Sequence, residues 1–197
     1  MPQPGVVITA SLREALEECF HALTNVVRPE LRRQLILKTE DVDVVAPADA
    51  LIDVWEGASA GALGFTLEPD GKIVFDAPQG FRVRVNIIEL GGGCIDRIHA
   101  AGPLFGGSVA SVSDLLLLRA VTVVERGGDG DIADFKWLLS EVARMGQFPT
   151  INDEELAWLV AAADLCLGRF GRLVIAAILG EKNEPAALAL LGIATID

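Results

Sequence analysis

This sequence is poor in the side chains that most often build zinc and redox sites. Its 197 residues include no tyrosine, two histidines and three cysteines, which are Cys19, Cys94 and Cys166. The cysteines are odd in number, lie far apart and form no Cys-x-x-Cys pair, so the sequence predicts reduced thiols in a cytoplasmic protein. Since no histidine or cysteine pair has the spacing of zinc ligands, the pattern argues against a zinc site.

Basic residues are also scarce. The chain has 16 Lys and Arg residues against 28 Asp and Glu residues, which gives a formal net charge of -12. Non-specific binding of nucleic acid depends on Lys and Arg that meet phosphates, so this balance argues against free nucleic acid as a partner. The acidity agrees with plain solubility and also with metal binding.

No uninterrupted apolar run is long enough to cross a membrane. The most apolar segment, Leu156 to Gly180, contains Asp164, Arg169 and Arg172, whereas a membrane span needs about 20 nearly uncharged residues. The N-terminus also lacks a basic stretch followed by an apolar one, as a signal peptide would have. We therefore expect two buried helices in this segment and no membrane partner.

Apolar residues are nevertheless abundant. Hydrophobic side chains make up 51% of the chain and the mean hydropathy is +0.43. Such a composition predicts a large core or a surface buried between copies of the chain. The apolar helices after Asp153 either cover the sheet or form the face of a homo-oligomer.

The order of the predicted elements is typical of an α+β protein, because strands dominate the first half and helices the second. Ser11 and Glu14 form a capping-box pattern at the start of a first helix that ends near Val27, and Leu51, Ile52 and Trp55 share one side of a second helix. This second helix covers about 47–58. The predicted strands lie at 33–38, 42–47 and 81–90, and a hairpin within 63–77 turns at Pro69-Asp70-Gly71. Loop residues then extend to about Ser108, and helices follow at 113–125, 130–145, 153–167, 171–179 and 185–191. We expect an α+β core over residues 1–108 and a helical region over residues 109–197 that packs on it.

Two tryptophans and two aspartates of the helical region have simple structural interpretations. Trp137 and Trp158 are expected in the core. Asp131 and Asp134 are expected to cap a helix and to interact favourably with its N-terminal dipole.

Two aspartates stand out in the short apolar stretch from Leu37 to Pro47. Asp41 and Asp43 are two residues apart on a predicted strand, so their side chains point to the same face. If that face lines a groove, both carboxylates can hold the same Mg²⁺ or Mn²⁺, because hard divalent ions prefer oxygen ligands. The alternative is that Asp41 serves a turn and Asp43 faces solvent.

The stretch "KTEDVDVV" resembles the T-x-D-x-D strand of the nucleotidyltransferase superfamily, which includes DNA polymerase β and bacterial abortive-infection-type toxins. A second block, "SVSDLLLLRAVTVVERGGDGDIADFKWLL", is similar to a helical stretch of that superfamily. The matching residues in this block are Asp114, Leu115, Arg126, Asp131 and Asp134. The resemblance covers about Ser11 to Leu139. It implies a nucleotidyltransferase-like mixed sheet flanked by helices and followed by a C-terminal helical region.

The resemblance also implies a set of site residues. Asp41 and Asp43 would hold Mg²⁺ or Mn²⁺. The superfamily has a third acidic residue on a later strand, which corresponds to "FRVRVNIIEL" in this chain. Asn86 is the best-aligned position on that strand, and Glu89 is the nearest acid. Glu89 lies on the opposite strand face unless a bulge intervenes.

Four residues expected to contact the bound ligand complete this set. Lys38 and Thr39 of the acidic stretch would contact the bound nucleotide. Arg82 and Arg84 share a strand face with Asn86, so they either meet an anionic ligand or form salt bridges with the aspartates on the surface of the sheet.

The sequence departs from the superfamily pattern at three places. The stretch "TNVVRPELRRQLILK" lacks the glycine pair, or glycine and serine, whose backbone N–H groups would hold phosphates. Asn86 is neutral where an acid is expected, and Arg119 replaces the lysine of the helical block.

These observations lead to two hypotheses. In the first, the protein is an enzyme that transfers a nucleotidyl group to an unknown acceptor with the help of a metal ion. In the second, the fold is retained but the site is degenerate. It then binds a non-nucleotide small molecule, catalyses an unrelated reaction or serves as a scaffold for a partner.

Overall fold

The chain folds into two units of different secondary structure. The computed structural model describes residues 9–37, 42–91, 97–146 and 148–192. The first unit, Met1–Ala110, contains a mixed β-sheet with helices, and the second unit, Ser111–Asp197, contains helices. The α+β class expected from the sequence is therefore confirmed.

The first unit is built on one seven-stranded sheet. Its described elements are α1 (Ala10–Val26), β1 (Ile36–Leu37), β2 (Val42–Ala46), α2 (Ala48–Ser59), β3 (Phe65–Leu67), β4 (Ile73–Asp76), β5 (Arg82–Glu89), β6 (Ala101–Leu104) and β7 (Gly107–Ala110). The strand order is β3-β4-β5-β2-β1-β7-β6. Strand β2 is parallel to β5, and β1 is parallel to β7, whereas the other neighbours are antiparallel.

Helices α1 and α2 cover one face of this sheet. Alternate strand residues meet buried residues of both helices, as the two-residue period of a strand requires. The cluster includes Cys19, Phe20 and Leu23 of α1, Ala50 and Val54 of α2, and Val42, Val44, Phe75, Val83 and Val85 of the strands. The remaining strand positions, among them Asp43, Arg82, Arg84 and Asn86, therefore project from the opposite face.

Helix α1 begins two residues earlier than expected, whereas α2 begins at the expected place. Thr9, not Ser11, is the N-cap of α1, and its hydroxyl accepts a hydrogen bond of 3.2 Å from the backbone N–H of Leu12. Helix α2 buries Ala50, Val54 and Ala58. The sequence favours Ser11 as the cap because a glutamate stands three residues after it, but Thr9 forms the same kind of cap two residues earlier.

Two strand predictions need correction. The predicted strand at 33–38 consists only of β1 in the described residues, because Arg32–Gln34 form a 3₁₀ helix.

The predicted loop up to Ser108 contains a hairpin, β6 and β7, that turns at Phe105 and Gly106. Both turn residues have positive φ, at 44° and 90°, as a two-residue type I′ turn requires. Thr24 holds this turn by donating a hydrogen bond of 3.0 Å to the carbonyl of Phe105.

The second unit consists of five α-helices in its described residues. They are α3 (Val112–Glu125), α4 (Asp129–Met145), α5 (Asp153–Leu167), α6 (Gly171–Leu179) and α7 (Glu184–Leu190). Their shared core includes Leu116, Ala120, Phe135, Leu159 and Ile175. Buried residues recur at helical spacing within these helices, which explains why the sequence predicted the helices within about one residue.

Tight caps and a close backbone contact shape this unit. Asn152 caps α5 and forms a reciprocal capping box with Glu155. Gly171 lies so close to α5 that a Cβ atom there would come within 2.6 Å of the carbonyl carbon of Ala163. Only glycine fits between the two helices at this distance, so α6 can begin directly beside α5.

The two tryptophans of this unit differ in burial. Trp158 is half-buried and packs against the helical core. Trp137 is exposed, so its expected core position is wrong. Its helix already buries Phe135, Leu138, Leu139 and Val142 on other sides. Across the described ranges, no helix is both long enough and apolar enough to cross a membrane.

Candidate functional site

The candidate site lies where β2 and β5 run side by side. These parallel strands pair residue by residue, from Val42 opposite Val85 to Ala46 opposite Glu89, and Asp43 lies opposite Asn86. Val42 and Val44 are buried against the helices, so Asp43 between them points to the other face. The sequence predicted this orientation of Asp43, and the register of the sheet adds Asn86 as its direct neighbour.

Asn86 and Asp43 form a hydrogen bond across the two strands. The Nδ2 atom of Asn86 donates to Oδ1 of Asp43 at 2.7 Å. Asp43 is half-buried and Asn86 is exposed. A carboxylate acceptor makes this a charge-assisted bond, which is stronger than a bond between neutral groups. The amide therefore fixes one carboxylate oxygen and leaves Oδ2 able to bind another group.

Three predicted site residues cannot be located relative to this pair. Lys38, Thr39 and Asp41 fall outside the described residues. Their assignment as ligand-binding and metal-binding residues stays a prediction from the sequence.

Glu89 does not join Asp43. The ladder between β2 and β5 continues without interruption from Asp43–Asn86 to Ala46–Glu89. Residues 86 and 89 are an odd number of positions apart, so their side chains leave opposite faces of the sheet. Since no bulge intervenes in this stretch, Glu89 lies on the wrong face to share a metal ion with Asp43.

Arg82 and Arg84 form ion pairs, but their common partner is Glu68. Arg82 lies 3.5 Å and Arg84 3.3 Å from the carboxylate of Glu68, measured between the nearest nitrogen and oxygen atoms. Arg82 also lies 3.9 Å from Asp76. Both guanidinium groups remain largely exposed, so each has donors left over for an anion.

Glu68 was missed in the sequence, although a signal was present. Phe65 and Leu67 alternate with Thr66 along β3, and extending this alternation puts Glu68 on the same face as Arg82 and Arg84. Glu68 also closes the hairpin, because its N–H donates to the carbonyl of Lys72 at 2.9 Å. The turn therefore positions the carboxylate that the two arginines share.

The segment before β1 is folded by short-range backbone hydrogen bonds. The N–H groups of Leu31, Gln34 and Leu35 donate to the carbonyls of Arg28, Leu31 and Arg32, at 2.9 to 3.1 Å. Phosphate-binding loops instead direct consecutive N–H groups outwards. This local structure agrees with the absence of a glycine pair in the segment.

The described residues do not form a complete metal site. Within ranges 9–37, 42–91, 97–146 and 148–192, no group of three or more His, Cys, Asp or Glu side chains could hold a metal ion. Asp43 and Asn86 supply a carboxylate oxygen and an amide oxygen, which are the donor types that Mg²⁺ and Mn²⁺ accept. The donors at this position thus fit a hard divalent ion in type.

The second block that carried the resemblance forms a local ion-pair cluster. Arg119 on α3 lies 2.7 Å from Asp131 and 3.1 Å from Asp134, both on α4. Arg126 lies 3.5 Å from Asp131. Asp131 and Asp134 therefore pair α4 with α3. Neither caps α4, whose N-cap is Gly128, but Asp131 lies in its first turn, where the expected interaction with the helix dipole is possible.

Asp114, the first acid of this block, has a capping role. Ser111 caps α3 by accepting a hydrogen bond of 3.1 Å from the N–H of Asp114, and its hydroxyl donates to the Asp114 carboxylate at 2.5 Å. Together with the ion pairs of Arg119 and Arg126, this arrangement gives Asp114, Asp131 and Asp134 roles in helix capping and packing.

Comparison with known proteins gives no relative from which a function could be transferred. No protein-family profile, no curated protein and no solved structure matches the chain.

Proposed function

We propose that the chain is a nucleotidyltransferase-like protein that carries out metal-dependent nucleotidyl transfer to an unknown acceptor. The observation that supports this proposal best is the pairing of Asp43 with Asn86 on neighbouring parallel strands. It brings the acidic strand next to the strand on which the superfamily resemblance expects a third metal ligand.

The order of elements supports the same proposal. A helix precedes the acidic strand, and a second helix, a hairpin and the long strand β5 come after it. Apart from the second helix, this is the order that the superfamily resemblance implies. The fold alone does not define an activity, because function depends on the residues of the site.

A divalent cation would be held by Asp41 and Asp43, with the amide oxygen of Asn86 as an auxiliary ligand. When bound, Mg²⁺ or Mn²⁺ would neutralise charge on the phosphates of a nucleoside triphosphate. For its oxygen to reach a cation, the Asn86 amide would have to rotate away from the hydrogen bond that it donates now.

The arginines of β5 would bind the phosphates. Arg84 and Asn86 are two residues apart on the same strand face, a spacing of about 7 Å, which a long arginine side chain can cover. Arg82 and Arg84 would exchange part of their contact with Glu68 for phosphate oxygens, which guanidinium groups bind with two parallel hydrogen bonds. In the transfer itself, an acceptor oxygen bonds to the α-phosphorus, pyrophosphate leaves with the electrons of the broken bond, and the acceptor releases a proton to solvent.

One observation favours the second candidate, a degenerate site that has been repurposed. Asn86 presents an N–H donor to Asp43, and not the amide oxygen with which it would bind a shared cation. In this form the site would bind a non-nucleotide small molecule, catalyse an unrelated reaction or serve as a scaffold.

Calorimetric titration with Mn²⁺ and each nucleoside triphosphate tests the proposal. We expect binding that requires Mn²⁺ and that becomes at least about tenfold weaker in Asp43→Asn and in Asp41→Asn, since each variant removes one charged ligand. Glu89→Gln is the matched control, because this carboxylate lies on the opposite face and its loss leaves binding unchanged.

The two candidates differ in the step after binding. Release of pyrophosphate on addition of an acceptor mixture supports transfer. Tight binding of nucleotide without any release supports a degenerate site. A folded protein that binds no nucleotide, with or without Mn²⁺, contradicts the proposed transfer and leaves the repurposed site as the better account.

A further inference from the structure

The solvent side of α2 carries an apolar patch with acidic neighbours. Ile52 is 52% exposed and Trp55 is 43% exposed, although both are large and apolar. Asp49 and Glu56, which are also exposed, lie about one helical turn on either side of Ile52. We call these four residues the α2 surface.

The fold explains why the α2 surface is not buried. Helix α2 already turns Ala50, Val54 and Ala58 towards the sheet, and Ile52 and Trp55 lie on the other side of the helix. The Trp55 ring lies over the β3–β4 turn, where its Cη2 atom is 3.9 Å from the position that a Cβ atom of Gly71 would occupy. One edge of the indole thus lies near the turn while much of the ring stays in contact with solvent.

The start of α6 carries an apolar patch with basic neighbours. Phe170 is 55% exposed and Leu173 is 57% exposed. The Arg169 guanidinium carbon lies 4.9 Å from the centre of the Phe170 ring, and Arg172 lies 3.5 Å from Asp164. We call Arg169, Phe170, Arg172 and Leu173 the α6 surface.

The two surfaces are complementary in charge and alike in apolar character. Neither Glu56 nor Arg169 has an ion-pair partner in the part of the chain that the structure describes. Aromatic residues and arginine are enriched at protein interfaces, and opposite charges at the edge of an apolar contact favour the correct partner. The chain therefore carries both halves of such an interface.

We propose that the α2 surface of one copy of this protein binds the α6 surface of a second copy. Contact between two α2 surfaces would bring acidic groups together, and contact between two α6 surfaces would bring arginines together, so the head-to-tail arrangement is favoured. An α2–α6 contact made once between two copies links subunits into rings or open chains, whereas the same contact made twice closes a dimer. It gives the C-terminal helices the role in a homo-oligomer that the composition suggested.

Sedimentation of two single variants and of their mixture tests this proposal. Trp55→Glu removes the α2 surface and Leu173→Glu removes the α6 surface, and each is expected to weaken self-association at least about tenfold, as the loss of a central interface residue does. Each variant keeps one intact surface. An equimolar mixture is therefore expected to form a one-to-one complex that neither variant forms with itself.

Leu63→Glu is the matched control for adding a carboxylate at an exposed leucine. Leu63 is 96% exposed and belongs to neither surface, so this variant should associate like the wild type.

A second pair of variants tests the charges. Glu56→Arg and Arg169→Glu should each weaken association, and their mixture should restore it. High salt should weaken wild-type association because it screens the charges.

The outcomes separate the proposal from other interfaces. A monomeric wild type up to the highest soluble concentration overturns it. Association that survives both Trp55→Glu and Leu173→Glu also overturns it, because the interface then lies elsewhere. Loss in one variant without recovery in the mixture indicates a symmetric contact and overturns the head-to-tail arrangement. Folding of each variant is checked by its circular dichroism and thermal unfolding.

Discussion

The side-chain amide of Asn86 donates a 2.7 Å hydrogen bond to Asp43 on the neighbouring parallel strand. A neutral residue thus stands directly opposite a carboxylate on the face of the sheet away from α1 and α2. An acid at position 86 would bring its negative charge about as close to the Asp43 carboxylate as the amide is now. The neutrality of Asn86 therefore permits the close approach.

Asn86→Asp should make stability depend on pH. Two carboxyl groups this close raise the pKa of the pair in the folded protein. A raised pKa gives stability that is fully present below the ordinary carboxyl pKa of about 4 and is lost as the pH rises through the folded value. At pH 7 we expect the variant to lose roughly 1 kcal/mol of unfolding free energy.

Urea unfolding at pH 4 and pH 7 measures this effect. Asn86→Ala is the control, since it loses the hydrogen bond without adding a charge and should show no greater pH dependence than the wild type. Mn²⁺ should restore part of the stability of Asn86→Asp, because the two carboxylates can then share a cation. An equal loss at both pH values would contradict the prediction.

Arg119 should matter more for stability than an exposed arginine of the same unit. It is half-buried and binds Asp131 and Asp134 on the neighbouring helix, so Arg119→Ala is expected to lower the unfolding free energy by about 1–3 kcal/mol. Arg119→Lys should recover only part, since lysine lacks the two-pronged geometry. Arg144, whose pair with Glu141 is exposed, is the control, and Arg144→Ala should cost less than about 0.5 kcal/mol. Equal losses would argue against the cluster.

Asn183 connects the end of α6 to the segment before α5. Its amide donates to the carbonyls of Pro149 and Leu179, at 2.9 and 3.0 Å, and its Oδ1 accepts from Ile151 at 3.1 Å. Because the side chain is buried, Asn183→Ala leaves these groups without partners and should cost about 2–4 kcal/mol of unfolding free energy. Asn152→Ala, which removes only a helix cap, should cost about 1 kcal/mol. Chemical denaturation compares the two, and the reverse order would contradict the prediction.

Cys19 should make stability fall at alkaline pH. Burial raises the pKa of this thiol from 9.0 to about 12. The unfolded chain therefore loses the proton first, so the stability is complete below pH 9 and is lost as the pH rises towards 12. Cys19→Ala should flatten this part of the stability curve. The absence of tyrosine removes another group that usually titrates there.

Thiol labelling gives an independent check on Cys19. An alkylating reagent at about pH 8 should leave Cys19 unmodified in the folded protein and modify it in urea, because a buried protonated thiol is a poor nucleophile. Peptide mass spectrometry identifies the modified residue. Rapid modification of Cys19 in the native protein would contradict the burial on which the pH prediction depends.

The sequence predicted those elements whose local pattern agrees with their tertiary surroundings. The β3–β4 hairpin and the alternation along β5 were visible because Val83 and Val85 meet the core while Arg82 and Arg84 do not. The β6–β7 hairpin was not visible, because Gly102, Pro103 and the turn glycines are typical of loops. Its pairing with the distant strand β1 decides the structure there, and no local window contains that information.

The candidate site was predictable only in part for a related reason. Alternation gave the face on which Asp43 lies, but the register that brings Asn86 to it depends on the pairing of two strands from different parts of the chain. The contacts that long side chains make were harder still to predict. Arg82 and Arg84 of β5 bind Glu68, which follows β3 on the far side of β4, and the alternation along β3 could have suggested this contact.

The topology of the sheet has a consequence for the order of folding. Strand β1 lies between β2, its near neighbour in sequence, and β7, and it pairs Ile36 with Ser108 from the far end of the unit. The β3–β4 and β6–β7 hairpins need only short loops to close, whereas the β1–β7 contact must close a long one. During synthesis the sheet can therefore be completed only after β7 has left the ribosome, and until then β1 keeps an open edge that chaperones or other nascent chains can reach.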